Sequence, residues 1–148
     1  MVQWQSVFIS VFGLIAFCLT LRGIYEVNQK HNSFGLTPWL LPYGIFVWGD
    51  AIILGTFWFL VSSFCFFIHN WYLFLLFLSA FWLIRSLGET IYWLQEQFAN
   101  KHRNPPNTLF GYKLFKNDSV WFIYQTFYQC LTVITLISTI YLSIIIFK

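Results

Sequence analysis

Arg85, Glu89, Tyr92 and Glu96 follow one another at spacings of four, three and four residues, which puts all four on one face of a helix. A guanidinium with carboxylates on the same face can hold an anion or a lipid headgroup. Where it is buried, it can also fix which helix faces which. The segment that carries these groups is apolar. Trp71 to Ile84 is fourteen residues without a charge, and such a length covers only about 21 Å at the helical rise. The hydrocarbon core is about 30 Å thick. A helix that crosses it therefore draws Arg85 into the membrane, and Glu89 with it.

Asp50, in Trp48-Gly49-Asp50-Ala51, is the natural counter-ion for Arg85. If the second span starts at Ile45, Asp50 lies about 8 Å inside the boundary. Ala51 to Ile68 is itself eighteen residues without a charge, nearly a full span, so the helix can instead slide until Asp50 sits among headgroups. Tyr92, Tyr124, Gln125 and Gln129 are expected to wall the same pocket. Gln125 and Gln129 lie about 9 and 15 Å in from Ser119 by helical rise, a depth comparable with that of Arg85. Arg22 and Glu26, at the inner end of the first helix, are expected to close the rim.

Other chemistry finds little to work with. His31 and His102 fall in loops on one side and His69 at a turn on the other, so no three-histidine metal site is expected, and no cofactor. Cys18, Cys65 and Cys130 stand singly in apolar segments and read as small hydrophobes rather than a redox pair. Gly49-Asp50 has the Gly-Asp pair of an intramembrane aspartyl protease, but the only second aspartate that qualifies, Asp118, opens a helix. There is no serine-nucleophile elbow and no phosphate-binding glycine loop. With no clear nucleophile near Arg85, an enzyme acting on a lipid at the cytoplasmic face is the least favoured class.

Composition sets the frame. The chain has 148 residues, of which 59% are hydrophobic and 9% charged, too apolar for a soluble globule of this length. A net charge of +3 without a basic stripe argues against nucleic-acid binding. Four segments are long enough to span: 4–24, 45–68, 71–98 and 119–147. The expected architecture is all-α, a single membrane domain forming an antiparallel four-helix transmembrane bundle. The first apolar stretch lacks a signal-peptide pattern and is read as a retained helix.

Loops 26–44 and 99–118 connect the first pair and the last pair. Arg22, Lys30, Lys101, Arg103, Lys113 and Lys116 lie on their side, and only Lys148 on the other. By the positive-inside rule the loops are cytoplasmic and both termini outside, in the cell membrane. All four prolines fall in these loops. Small residues stripe the first helix (Ser6, Ser10, Gly13, Ala16, Thr20, Gly23) and the second segment (Gly44, Ala51, Gly55, Ser62), a pattern that lets helices approach closely in lipid. Lys101 and Arg103 sit in a basic turn suited to anionic headgroups, or simply set the topology.

The function these features favour is a non-enzymatic membrane component or partner-binding subunit, with a charged pocket in the cytoplasmic half of the bundle. The alternative is a small transporter or lipid-translocating protein that uses Arg85 to hold an anion or headgroup. The expected partners are the lipid bilayer and either another membrane protein or further copies of the chain.

Overall fold

The computed structural model describes residues 1–115 and 117–148; Lys116, one of the loop cations counted above, lies outside the described residues. In chain order the elements are α1 (Gln3–Lys30), the 3-10 helix η1 (Pro38–Tyr43), α2 (Trp48–Ile68), α3 (Trp71–Phe98), the 3-10 turn η2 (Pro106–Thr108), the single turn α4 (Tyr112–Phe115) and α5 (Ser119–Phe147). Among the described residues the only β-pairing is one isolated bridge. Four helices, α1, α2, α3 and α5, are long and apolar enough to cross a membrane. The chain clusters into two compact units, 1–77 and 78–148, with α3 running from the first into the second.

In the first unit α1 and α2 pack closely, because small residues line their seam. A Cβ built on Gly13 would stand 2.7 Å from Ser62 Cβ, and one on Gly55 would stand 2.8 Å from the Ala16 carbonyl oxygen. At the other end Gly23 meets Ala51. The order of these meetings shows that the two helices run in opposite directions. The stripe of glycine, alanine, serine and threonine is thus the contact surface itself.

Helix ends are closed locally. Gln5 turns its side-chain oxygen back to the Val2 N–H at 2.8 Å. Both α1 and α2 stop on a histidine in the left-handed region, His31 at φ 50° and His69 at φ 55°. Asn70 then accepts the Leu73 N–H at 3.0 Å and starts α3. His69 and Asn70 are therefore the whole connection between two long helices, as their sequence positions suggest. Phe74, fully buried, fills the space between the rings of Phe8, Phe12, Trp58 and Trp71.

The connection from α1 to α2 differs from the polar loop expected over 26–44. Its first residues, through Lys30, continue α1. Leu36 and Val47 then pair across a hairpin base, and Thr37 N–H donates to the Phe46 carbonyl at 2.9 Å. The tip, η1, doubles back along the helix pair. Trp58 Nε1 donates to the Tyr43 carbonyl at 3.0 Å, and the Tyr43 hydroxyl donates to the Phe12 carbonyl at 3.2 Å. The Tyr43 ring stacks on Phe12 with centroids 4.3 Å apart. Trp58 is ten residues into α2, about 15 Å along its axis, so η1 lies well inside the length of the pair. Leu40, Tyr43 and Ile45 are buried there. Gly44, at φ 69°, turns the chain out of η1, and extended Val47 delays the helix to Trp48 rather than Ile45. Gly44 is accordingly a turn residue and not part of the α2 stripe.

In the second unit α3 and α5 meet along a polar seam. Thr139 Oγ1 lies 3.1 Å from Ser79 Oγ, and Thr132 Oγ1 lies 2.9 Å from Ser86 Oγ. The pairs are seven residues apart on both helices, in opposite order, so these helices also run in opposite directions. The outer faces of α5 stay apolar and exposed, with Phe122, Phe127, Ile137 and Tyr141 among them. A surface of this kind requires lipid or protein to cover it.

Candidate functional site

A dense polar arrangement lies in the second unit, where the C-terminal turns of α3 meet the loop over residues 99–111. Glu96 is only 5% exposed. Its oxygens lie 3.2 and 3.1 Å from the Arg103 nitrogen, and Oε2 lies 3.3 Å from the Asn104 nitrogen. The carboxylate therefore folds the basic turn back onto the helix that carries it. Asn104 is held three ways in all. Its side-chain amide donates to the Tyr92 hydroxyl at 2.5 Å, its backbone N–H meets Glu96, and its carbonyl accepts from Trp121 Nε1 at 2.9 Å. His102 Nδ1 lies 2.9 Å from the Glu96 carbonyl. A carbonyl can only accept, so Nδ1 carries the proton. The imidazole ring also packs on Trp121 at 4.4 Å.

The walls expected of the pocket divide. Gln125 is buried, and its side-chain oxygen accepts from Gln97 Nε2 at 2.6 Å. The Tyr124 ring lies 4.7 Å from Trp93, and its hydroxyl donates to the Phe110 carbonyl at 3.3 Å. Tyr92, Tyr124 and Gln125 thus belong to one neighbourhood around Trp93 and Asn104. Gln129 is exposed. Arg85 Nη2 stands 3.6 Å from Glu89 Oε1, one helical turn away on the same face.

In the first unit Glu26 is 3% exposed, with Arg22 at 2.6 Å and Lys30 at 3.0 Å. Arg22 also lies over the rings of Tyr25 and Trp48. Glu26 is therefore a buried carboxylate neutralised by cations one turn before and one turn after it. Asp50 sits in the first turn of α2, where Oδ2 accepts the Phe46 N–H at 3.2 Å. It holds the exit of the η1 hairpin to the start of the helix.

Sequence reading passed over Gln97, His102, Asn104 and Trp121 as site residues. The signal was local: a run of Lys-His-Arg-Asn before two prolines, one turn beyond a helical glutamate. Among the described residues no three His, Cys, Asp or Glu side chains converge as a metal site would require. All three cysteines are free thiols. Comparison with known proteins finds no match to a family model, a curated protein or a solved structure.

The arrangement can position and present a loop. Glu96, Asn104, Tyr92 and Trp121 occupy their polar atoms with one another and with the backbone, which leaves Lys101 and Arg103 exposed on a fixed turn.

Proposed function

We propose that the chain is a non-enzymatic integral membrane component, an antiparallel four-span bundle that meets a partner membrane protein. In this reading it lies in the cell membrane with both termini outside and the loops 26–44 and 99–118 on the cytoplasmic side. One observation carries it: the buried carboxylate of Glu96 has its oxygens on the backbone of Arg103 and Asn104. Glu26 is likewise occupied by Arg22 and Lys30. Polar groups committed to holding the chain in shape suit a component whose surface, rather than a reaction centre, is its working part.

The test is charge removal with two readouts. Arg85→Met and Glu89→Gln together should leave helicity and the detergent elution profile unchanged, since both members of the ion pair are neutralised at once. Wild-type protein in liposomes should move neither a labelled anion nor a labelled lipid faster than empty liposomes. A flux that vanishes with Arg85→Met would make the protein a transporter instead.

A further inference from the structure

The basic turn and the aromatic tip that follows it are anchored to neighbouring positions on α5. The carbonyls of Asn104 and Phe110 are both tied to α5, the first by Trp121 and the second by Tyr124. Those two residues are neighbours on one helix face, about 4.5 Å apart along the axis. The chain between is closed on itself, with Thr108 N–H on the Pro105 carbonyl and Leu109 N–H on the Pro106 carbonyl. Gly111, at φ 95°, then turns it over Val120 into α4.

This clamping decides what faces outward. Lys101, His102, Arg103 and Lys113 are all exposed. Interleaved with them in the sequence are Phe98, Phe110 and Leu114, at 79%, 93% and 78% exposure. No acidic residue occurs between Glu96 and Asp118. Large apolar side chains raised to this degree, interleaved with cations and held at the end of two apolar helices, match the boundary of a bilayer. There the rings enter the acyl region and the cations meet phosphate.

We infer that the surface formed by Phe98, Lys101, Arg103, Phe110, Lys113 and Leu114 binds acidic phospholipid, taking the phosphodiester headgroup on its cations and the upper acyl region on its apolar side chains. The inference rests on the reading of the four long helices as membrane spans. Preorganisation matters to it. The Glu96 clamp orders the turn in advance, so the lipid need not supply that ordering. The carboxylate is buried beneath, where it cannot repel the headgroup from the exposed side.

The experiment uses the full chain in detergent with equimolar phosphatidylglycerol and phosphatidylcholine, and native mass spectrometry to count the lipids retained. Wild type should keep phosphatidylglycerol in preference, and Lys101→Gln with Arg103→Gln should cut that preference roughly fivefold for each charge removed. Millimolar inorganic phosphate should not displace the lipid, because it offers nothing to the apolar side chains. Phe110→Ser with Leu114→Ser should reduce phosphatidylglycerol retention while leaving helicity intact. Lys148→Gln, at the opposite end of the chain, should change nothing. Equal retention of both lipids by wild type overturns the inference, as does an effect of Lys148→Gln equal to that of the double variant. Displacement by free phosphate would also overturn it, by assigning the surface to a soluble anion. A protein that stays soluble without detergent and retains neither lipid would instead refute the membrane reading itself.

Discussion

The Glu96 carboxylate sits 3.2 and 3.1 Å from the backbone nitrogen of Arg103, seven residues further along the chain. A helix and the basic turn beyond it are joined by a single buried acidic group. Replacing it by alanine strands two N–H donors, those of Arg103 and Asn104, at a cost of about 1–3 kcal/mol each. Glu96→Ala should therefore release the turn without melting α3. Trypsin cleaves after Lys101 and Arg103, so the rate of nicking there reads the release directly. It should rise by at least about tenfold. Glu96→Gln keeps one acceptor oxygen and should fall between. A nicking rate unchanged by Glu96→Ala would mean that Trp121 and Tyr92 hold the turn unaided.

Two glycines separate packing from helix propensity. Gly55 has no room: an added Cβ would lie 2.5 Å from Thr20 Oγ1 and 2.8 Å from the Ala16 carbonyl oxygen. Gly88 has nothing within 4 Å. Gly55→Ala should lower stability in detergent by about 1–3 kcal/mol, since backbone on the facing helix cannot move aside cheaply. Gly88→Ala should be neutral, or stabilising by up to about 1 kcal/mol. Thermal denaturation of the two variants side by side checks the contrast. Equal losses would show that α1 and α2 do not touch along this stripe.

The long helices were legible because their signals are long. An uncharged run of fourteen or more residues, bounded by histidine and asparagine at 69–70 or by Asp118, leaves little choice of boundary. The small-residue stripe also read through, since helical spacing alone puts Gly13, Ala16 and Thr20 on one face. The η1 hairpin did not. Its two prolines mark a loop, and that outweighed the apolar content of Pro38-Trp39-Leu40-Leu41-Pro42-Tyr43. A 3-10 turn tolerates those prolines, and burial of Leu40 and Tyr43 draws it against the helices. The polar seam was half visible. Helical spacing puts Thr132 and Thr139 on one side of α5, and the structure pairs them with Ser86 and Ser79. Serine and threonine in a helix can satisfy themselves on the carbonyl one turn back, so sequence alone does not show which of them also reach across.

The hairpin tip depends on an indole. Trp58 is fully buried, and its Nε1 supplies the hydrogen bond that holds the Tyr43 carbonyl inside the helix pair. Trp58→Phe keeps an aromatic ring against Phe12 and Phe74 but leaves that carbonyl without its donor. The backbone amides of Gly44 and Ile45, bonded to the carbonyls of Leu41 and Leu40, should then exchange with deuterium faster. The expected loss is about 1–3 kcal/mol of local protection. Tyr43→Phe, which removes the bond to the Phe12 carbonyl, should act in the same direction and more weakly, because the Phe12 carbonyl is in a helix and keeps its own N–H partner. Exchange in wild type as fast as in an unstructured loop would show that the tip does not lie where it is drawn.

The α3–α5 seam gives the sharpest ordering of effects. At its middle, Thr132 Oγ1 lies 2.9 Å from Ser86 Oγ and 2.8 Å from the Tyr128 carbonyl, while Ser86 Oγ lies 2.6 Å from the Trp82 carbonyl. Two hydroxyls have two protons for these three bonds, so the bond across the seam competes with bonds inside each helix. Its coupling should be small, about 0.6 kcal/mol, as is usual between membrane helices. Gln97 and Gln125 are different. The Gln125 oxygen is buried at 2.6 Å from Gln97 Nε2, and a glutamine carbonyl has no proton with which to satisfy itself elsewhere. A double-mutant cycle with Gln97→Leu and Gln125→Leu should give the larger coupling, up to about 1.7 kcal/mol. Ser86→Ala with Thr132→Val should give the smaller. Equilibrium unfolding in mixed micelles measures both cycles in the same background. If the serine–threonine pair couples more strongly than the glutamines, the hydroxyls are not self-satisfied, and the assignment of their protons to the intrahelical carbonyls is wrong.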